Sequence, residues 1–241
     1  MKALEITKHK THLTNILLDI YKDSALSPLL GFKGGTAAML FYGLPRFSVD
    51  LDFDLVHAIT PTASQFRGAN KVVDQVTALL SSKYAIKNQS TKWNTLFWVI
   101  SYGAGLTRIK IEISTRDHPL NHYHVLPFYG VAVKTLDIGD MIAHKLVAVT
   151  ERTSIANRDL FDTHYFLSSP YASEINDEII KHRTGKTRKE FYASLLTFVS
   201  DIHPKTVLAG LGEVLTEPQK KWAKEMLIEE LKGLIQKMID F

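Results

Sequence analysis

The chain has no cysteine among its 241 residues, which excludes disulfides and thiolate metal sites. It has no run approaching eighteen consecutive apolar residues, so no bilayer-spanning helix is expected. Repeats, low-complexity tracts and long Pro/Ser-rich linkers are absent too, and a compact folded chain is the expectation. Met1 to Lys10 lacks the apolar core of a signal peptide, which makes cytoplasmic residence the default expectation. What is present is ordinary for a globular chain: 45% hydrophobic and 22% charged residues, enough for one large domain or two smaller ones. The formal net charge of +4 is mildly basic. It suits contact with RNA or nucleotides without requiring either.

One stretch carries chemistry. A short, mostly apolar run from Leu29 to Lys33 precedes Gly34 and Gly35, and Ala37 to Tyr42 offers helix formers with Thr36 at the N-cap position. The pattern is strand, tight turn, helix. Two glycines let the backbone approach a ligand closely, and the N–H groups opening the helix favour anionic oxygens such as those of a triphosphate, with the Thr36 hydroxyl as a further donor. On its own, Gly34-Gly35-Thr36 reads more readily as a plain strand–helix turn.

The next element changes that balance. From Val49 to Leu55, apolar Val49, Leu51, Phe53 and Leu55 alternate with Asp50, Asp52 and Asp54. Period-two alternation predicts a strand with the aspartates on one face. Aspartate is depleted in strands and like charges two residues apart repel, so a bound divalent cation would relieve the face. Hard oxygen ligands beside a phosphate substrate suit Mg²⁺ or Mn²⁺, and Asp50 and Asp52 are the expected ligands. Arg108 to Ser114 alternates three isoleucines with Lys110, Glu112 and Ser114. Glu112 is the candidate third ligand or base.

These residues resemble the AbiEii/AbiGii-type toxin nucleotidyltransferases, a branch of the DNA polymerase β-like nucleotidyltransferase superfamily. The first motif is matched from Lys33-Gly34-Gly35-Thr36 through Leu44-Pro45-Arg46-Phe47-Ser48-Val49-Asp50-Leu51-Asp52-Phe53, and the later one by Lys145, Arg152, Arg158-Asp159 and Asp162. The resemblance covers residues 30 to 166. It implies an α/β (α+β) nucleotidyltransferase fold, with a mixed central sheet flanked by helices and a C-terminal helical bundle. It also implies Mg²⁺-dependent transfer of NMP from an NTP to an acceptor hydroxyl. Asp50, Asp52 and Glu112 would form the catalytic metal site, and Gly34, Gly35, Thr36, Lys145 and Asp159 would position the nucleotide. The family further suggests the 3′ end of tRNA or another RNA as acceptor, and a toxin restrained by a cognate antitoxin. Many relatives have aspartate where this chain has Glu112. By spacing alone, Lys145, Arg152, Asp159 and Asp162 read more readily as helix-end salt bridges. Transfer to a protein or small molecule, and a non-catalytic nucleotide- or RNA-binding module, are the alternatives.

Helical spacing predicts an opening helix around Leu13 to Ile20 and another over Thr62 to Ser82. Strands are expected at Tyr84 to Gln89, Thr95 to Tyr102, Arg108 to Ser114 and, last, Val131 to Thr135. Helices follow at Ile138 to Arg152, Arg158 to Leu167, near Glu174 to His182, Arg188 to Val199 and Gln219 to Ile239. The boundary falls near Leu136, giving a nucleotidyltransferase domain at 1–136 and a helical domain at 137–241. Basic clusters around Lys186, Arg188 and Lys189 and at Lys220, Lys221 and Lys224 are more simply solvated surface than RNA contacts. His118, His122 and His124 read as a loop rather than a metal site.

Overall fold

The computed structural model describes residues 3–56, 63–152 and 156–240. Thr62, at the start of the expected second helix, lies outside them. The chain divides into two units, one made of Met1–Gly43 with Phe47–Leu136, the other of Leu44–Arg46 with Asp137–Phe241.

The first unit holds a seven-stranded mixed sheet. Its elements are α1 (Ala3–Lys22), β1 (Leu30–Lys33), α2 (Gly34–Phe41), β2 (Leu51–Leu55), α3 (Ala63–Ser81), β3 (Ala85–Lys92), β4 (Thr95–Ser101), β5 (Ile109–Ser114), β6 (Tyr123–Phe128) and β7 (Val131–Leu136). The strand order is β3-β4-β5-β2-β1-β7-β6. The β1–β7 and β2–β5 pairs are parallel, and the others are antiparallel. Alternation divides the sheet into two faces. Leu96, Trp98 and Ile100 of β4 and Ile109, Ile111 and Ile113 of β5 are buried on the face that α1 and α3 cover. There the Trp98 Nε1 donates to the Thr77 hydroxyl of α3 at 3.0 Å, and the Tyr21 hydroxyl of α1 donates to the Leu30 carbonyl at 2.9 Å. The residues between them, such as Phe97, Val99, Lys110 and Glu112, stay partly or wholly exposed.

β6 is a strand that the sequence pattern does not announce. As an edge strand it pairs with β7 alone, so it needs no buried row, and Val125 is largely exposed. Pro127 suits an edge, where a missing N–H costs no ladder bond. The connection to β7 runs through Tyr129 and Gly130, both at positive φ (48° and 76°), the conformation that favours a two-residue hairpin turn.

The second unit is helical: α4 (Ile138–Glu151), α5 (Asn157–Leu167), α6 (Asp177–Thr184), α7 (Arg188–Ser200), α8 (Glu217–Glu225) and α9 (Leu227–Asp240), with short 3₁₀ turns between them. Asp137 caps α4 by accepting from the Gly139 N–H at 2.8 Å, and a Thr187–Glu190 capping box opens α7. α9 packs on α5 and α7, burying Leu227, Leu231 and Ile235. The single helix expected over Gln219 to Ile239 is broken at Met226, whose φ of −123° closes α8. Met226 is 44% exposed while Leu227 is fully buried. Among the described residues no helix is long and apolar enough to cross a membrane.

Candidate functional site: a carboxylate row on the sheet and a charged ladder on the helices

In the sheet unit, the candidate residues lie in one transverse row. Lys33 of β1 is in register with Asp52 of β2, and Asp52 is in register with Glu112 of β5. Registered neighbours on one face sit roughly 5 Å apart, so the two carboxylates are side by side on the polar face. Gly34 opens α2 at φ +80°, and a Cβ there would run into the Asp52 side chain. Only glycine brings the first turn of α2 this close to the carboxylate.

Two expectations need correcting. Thr36 is not the N-cap: α2 begins at Gly34, with Lys33 at the capping position. Thr36 is fully buried, and its hydroxyl donates to the Asp50 carbonyl, fastening α2 to the chain entering β2. The three aspartates also do not act alike. Asp54 is buried and ion-paired with Lys33. It accepts from the Tyr123 hydroxyl at 2.8 Å and from Asn121 Nδ2 at 3.3 Å. Its charge is compensated within the protein, so it needs no cation. The Tyr123 ring reaches it by lying against Gly31, where any Cβ would collide with the ring.

Asp50 precedes β2. Its Oδ1 accepts from the Lys110 N–H at 3.3 Å and its Oδ2 lies 3.8 Å from the Lys110 ammonium. On the other side of the same segment, His9 is fully buried, with Nδ1 2.8 Å from the Tyr102 hydroxyl and Nε2 2.9 Å from the Val49 carbonyl. A carbonyl only accepts, so Nε2 carries the proton. Burial lowers the His9 pKa, opposed by the bond to Val49 and the charge of Asp50. His9 thus holds, as a neutral ring, the residue just before Asp50, a role that the sequence pattern did not signal. Among the described residues no trio of His, Asp or Glu side chains is drawn together as a metal site. His118 instead lies 3.9 Å from Asp54.

In the helical unit, α4 and α5 carry a ladder of opposite charges. The Lys145 ammonium lies 2.5 Å from Asp162, and the Arg152 Nε lies 3.1 Å from Asp159. Arg46 completes the lower rung, reaching Asp162 through Nε at 2.5 Å and a terminal nitrogen at 2.7 Å. Burial pushes the Asp162 carboxyl up, but Lys145 and Arg46 outweigh it and hold the group below the usual carboxylate range. At Asp159 the balance reverses, and burial keeps its pKa raised despite Lys145 and Arg152. Arg46 sits in the first motif, and nothing in its spacing showed that it would neutralise Asp162. One cation of each basic cluster is ion-paired: Arg188 with Asp177 at 2.9 Å and Lys220 with Glu217 at 2.6 Å.

Comparison with known proteins bears on the family and the fold. The family model described as nucleotidyl transferase AbiEii toxin, type IV toxin–antitoxin system, matches residues 15–240. A candidate nucleotidyltransferase from H. pylori, known from its crystal structure, is similar at a TM-score of 0.64 and 21% identity, over 100% of this chain and 96% of its own. JHP933 from Helicobacter pylori is similar at 0.63 and 20%, over 100% and 94%. These two likenesses show a shared nucleotidyltransferase-type fold. No curated protein matches the chain. With the model spanning nearly its whole length, the chain belongs to the AbiEii family of nucleotidyl transferase toxins.

Proposed function

We propose that the protein transfers a nucleoside monophosphate from an NTP to the 3′-terminal hydroxyl of tRNA, with Mg²⁺ or Mn²⁺ as cofactor, acting in the cytoplasm as a toxin held in check by a cognate antitoxin. The observation that carries this reading is the pairing of Asp52 with Glu112 beside the glycine-opened first turn of α2.

The donor set at this face consists of carboxylate oxygens, which fit a hard dication. Asp50, Asp52 and Glu112 would hold it, and when bound it would supply charge neutralisation at the α-phosphate and acidify the attacking hydroxyl. The acceptor oxygen forms a bond to the α-phosphorus as the bond from that phosphorus to the bridging oxygen of the β-phosphate breaks, and pyrophosphate leaves. Glu112 is the group we assign to take the hydroxyl proton. The N–H groups of Gly34, Gly35 and Thr36 are in the first turn of α2, where helices lack internal acceptors and favour phosphate. Thr36 contributes its backbone there, its hydroxyl being bound to Asp50. Lys145 and Asp159 are proposed to hold the nucleotide, which requires Lys145 to share its charge between Asp162 and phosphate.

The test is to incubate the protein and its Asp52→Ala variant with Mg²⁺, total tRNA and each α-labelled NTP in turn. Label on tRNA only with the unaltered protein is the expected result. Label on protein instead, or NTP binding without turnover, would overturn the tRNA assignment.

A further inference from the structure

The transverse row does not stop at the carboxylates. Glu112 is in register with Phe97 of β4, and Phe97 with Ser90 of β3. The row therefore runs Ser90, Phe97, Glu112, Asp52, Lys33 across the polar face. Phe97 is only half-buried although it sits mid-sheet. Lys92 places its ammonium 5.5 Å from the centre of that ring. At the turn joining β3 to β4, Trp93 is 95% exposed. Lys110, on the neighbouring strand, is exposed and in register with Val99. An exposed indole and a half-buried phenyl on one hairpin leave apolar area in water. Rings flanked by ammonium groups on a sheet face match the chemistry of a single strand of nucleic acid, whose bases all present a stacking face and whose phosphates are anionic.

We infer that the polar face of β3, β4 and β5 is a platform for single-stranded RNA, with bases stacked on Phe97 and Trp93 and phosphates held by Lys92 and Lys110. This rests on the reading of the carboxylates as a nucleotidyl transfer site with an RNA acceptor. Phe97 is one strand, roughly 5 Å, from Glu112 and two from Asp52. A terminal base on that ring sets its 3′ hydroxyl toward the carboxylates, and Trp93 receives a base further from the end. A duplex has its bases already stacked and cannot use the rings, so the platform selects an unpaired 3′ end.

Binding without NTP or metal tests this separately from turnover. A labelled 10-nucleotide single-stranded RNA and a blunt RNA duplex of equal length are titrated by fluorescence anisotropy against the protein and its Trp93→Ala, Phe97→Ala and Lys92→Gln variants, with folding checked by circular dichroism. The single strand should bind more tightly than the duplex. Each aromatic truncation should weaken it by roughly 5- to 100-fold, Phe97→Tyr should retain it, and Lys92→Gln should lower the salt dependence by about one ion. Tryptophan quenching by RNA should fall sharply in Trp93→Phe, because Trp98 is fully buried and Trp222 is partly buried against Phe161 and His164 in the helical unit. Equal affinity of the aromatic variants, or preference for duplex, overturns the platform. If the unaltered protein labels RNA yet those variants bind it normally, the transferase reading stands and the platform falls. If RNA binds through the rings but no nucleotide is transferred, the platform stands and the transferase reading falls.

Discussion

Single residues set the closeness of parts at the carboxylate row. Gly34 combines a positive φ with a site where any side chain meets Asp52. Gly34→Ala should destabilise by about 1–3 kcal/mol and abolish nucleotidyl transfer, read by urea unfolding and by label incorporation; near-native activity would mean that the first turn of α2 need not approach Asp52. His9 makes a pH prediction. Its folded pKa is depressed by burial, so the unfolded chain binds the proton more readily. The stabilisation from the neutral ring is complete above the ordinary imidazole value of about 6.5 and is lost as pH falls through the folded pKa. Urea midpoints should therefore drop between pH 7 and pH 5, with a smaller drop in His9→Gln. The same sign holds for His164, which burial also lowers, so the variant should remove only part of the loss.

At the scale of elements, the α4–α5 pairing depends on a buried charge that two cations satisfy. Lys145→Ala would leave Asp162 to Arg46 alone, and breaking a buried pair costs about 3–5 kcal/mol. A urea midpoint unchanged in this variant would show that the Lys145–Asp162 contact contributes nothing to the fold. The break between α8 and α9 allows a contrast of neighbours. Met226→Ala, at an exposed position, should alter stability by no more than about 0.5 kcal/mol, whereas Leu227→Ala, fully buried, should cost about 2–5 kcal/mol. The sequence pattern found β2, β4 and β5 because each buries one face and leaves alternate residues polar. It missed β6 because an edge strand buries no row, and it joined α8 to α9 because apolar spacing alone does not register a change in the packing partner.

For the molecule as a whole, ligand linkage gives the broadest test. A ligand that binds only the folded state at a hundred times its dissociation constant adds about 2.7 kcal/mol. Mg²⁺ with the correct NTP should raise the melting temperature of the unaltered protein and leave Asp52→Ala unmoved; an equal shift in both would place the nucleotide away from the carboxylate row.

The sequence by itself determined the mixed α/β class, the family and the candidate carboxylates. Those follow from local periodicity and from short motifs whose residue types are dictated by the chemistry of phosphate. Only the tertiary structure decided which of these charges are paired within the fold. Asp50, Asp52 and Asp54 are equivalent in the alternation, yet Asp54 is neutralised by Lys33, a partner on an adjacent strand. Asp162 resembles Asp159 on its helix, yet it is Asp162 that pairs with Arg46 from a distant part of the chain. Burial and long-range pairing depend on strand register and helix packing, and one-dimensional spacing carries neither.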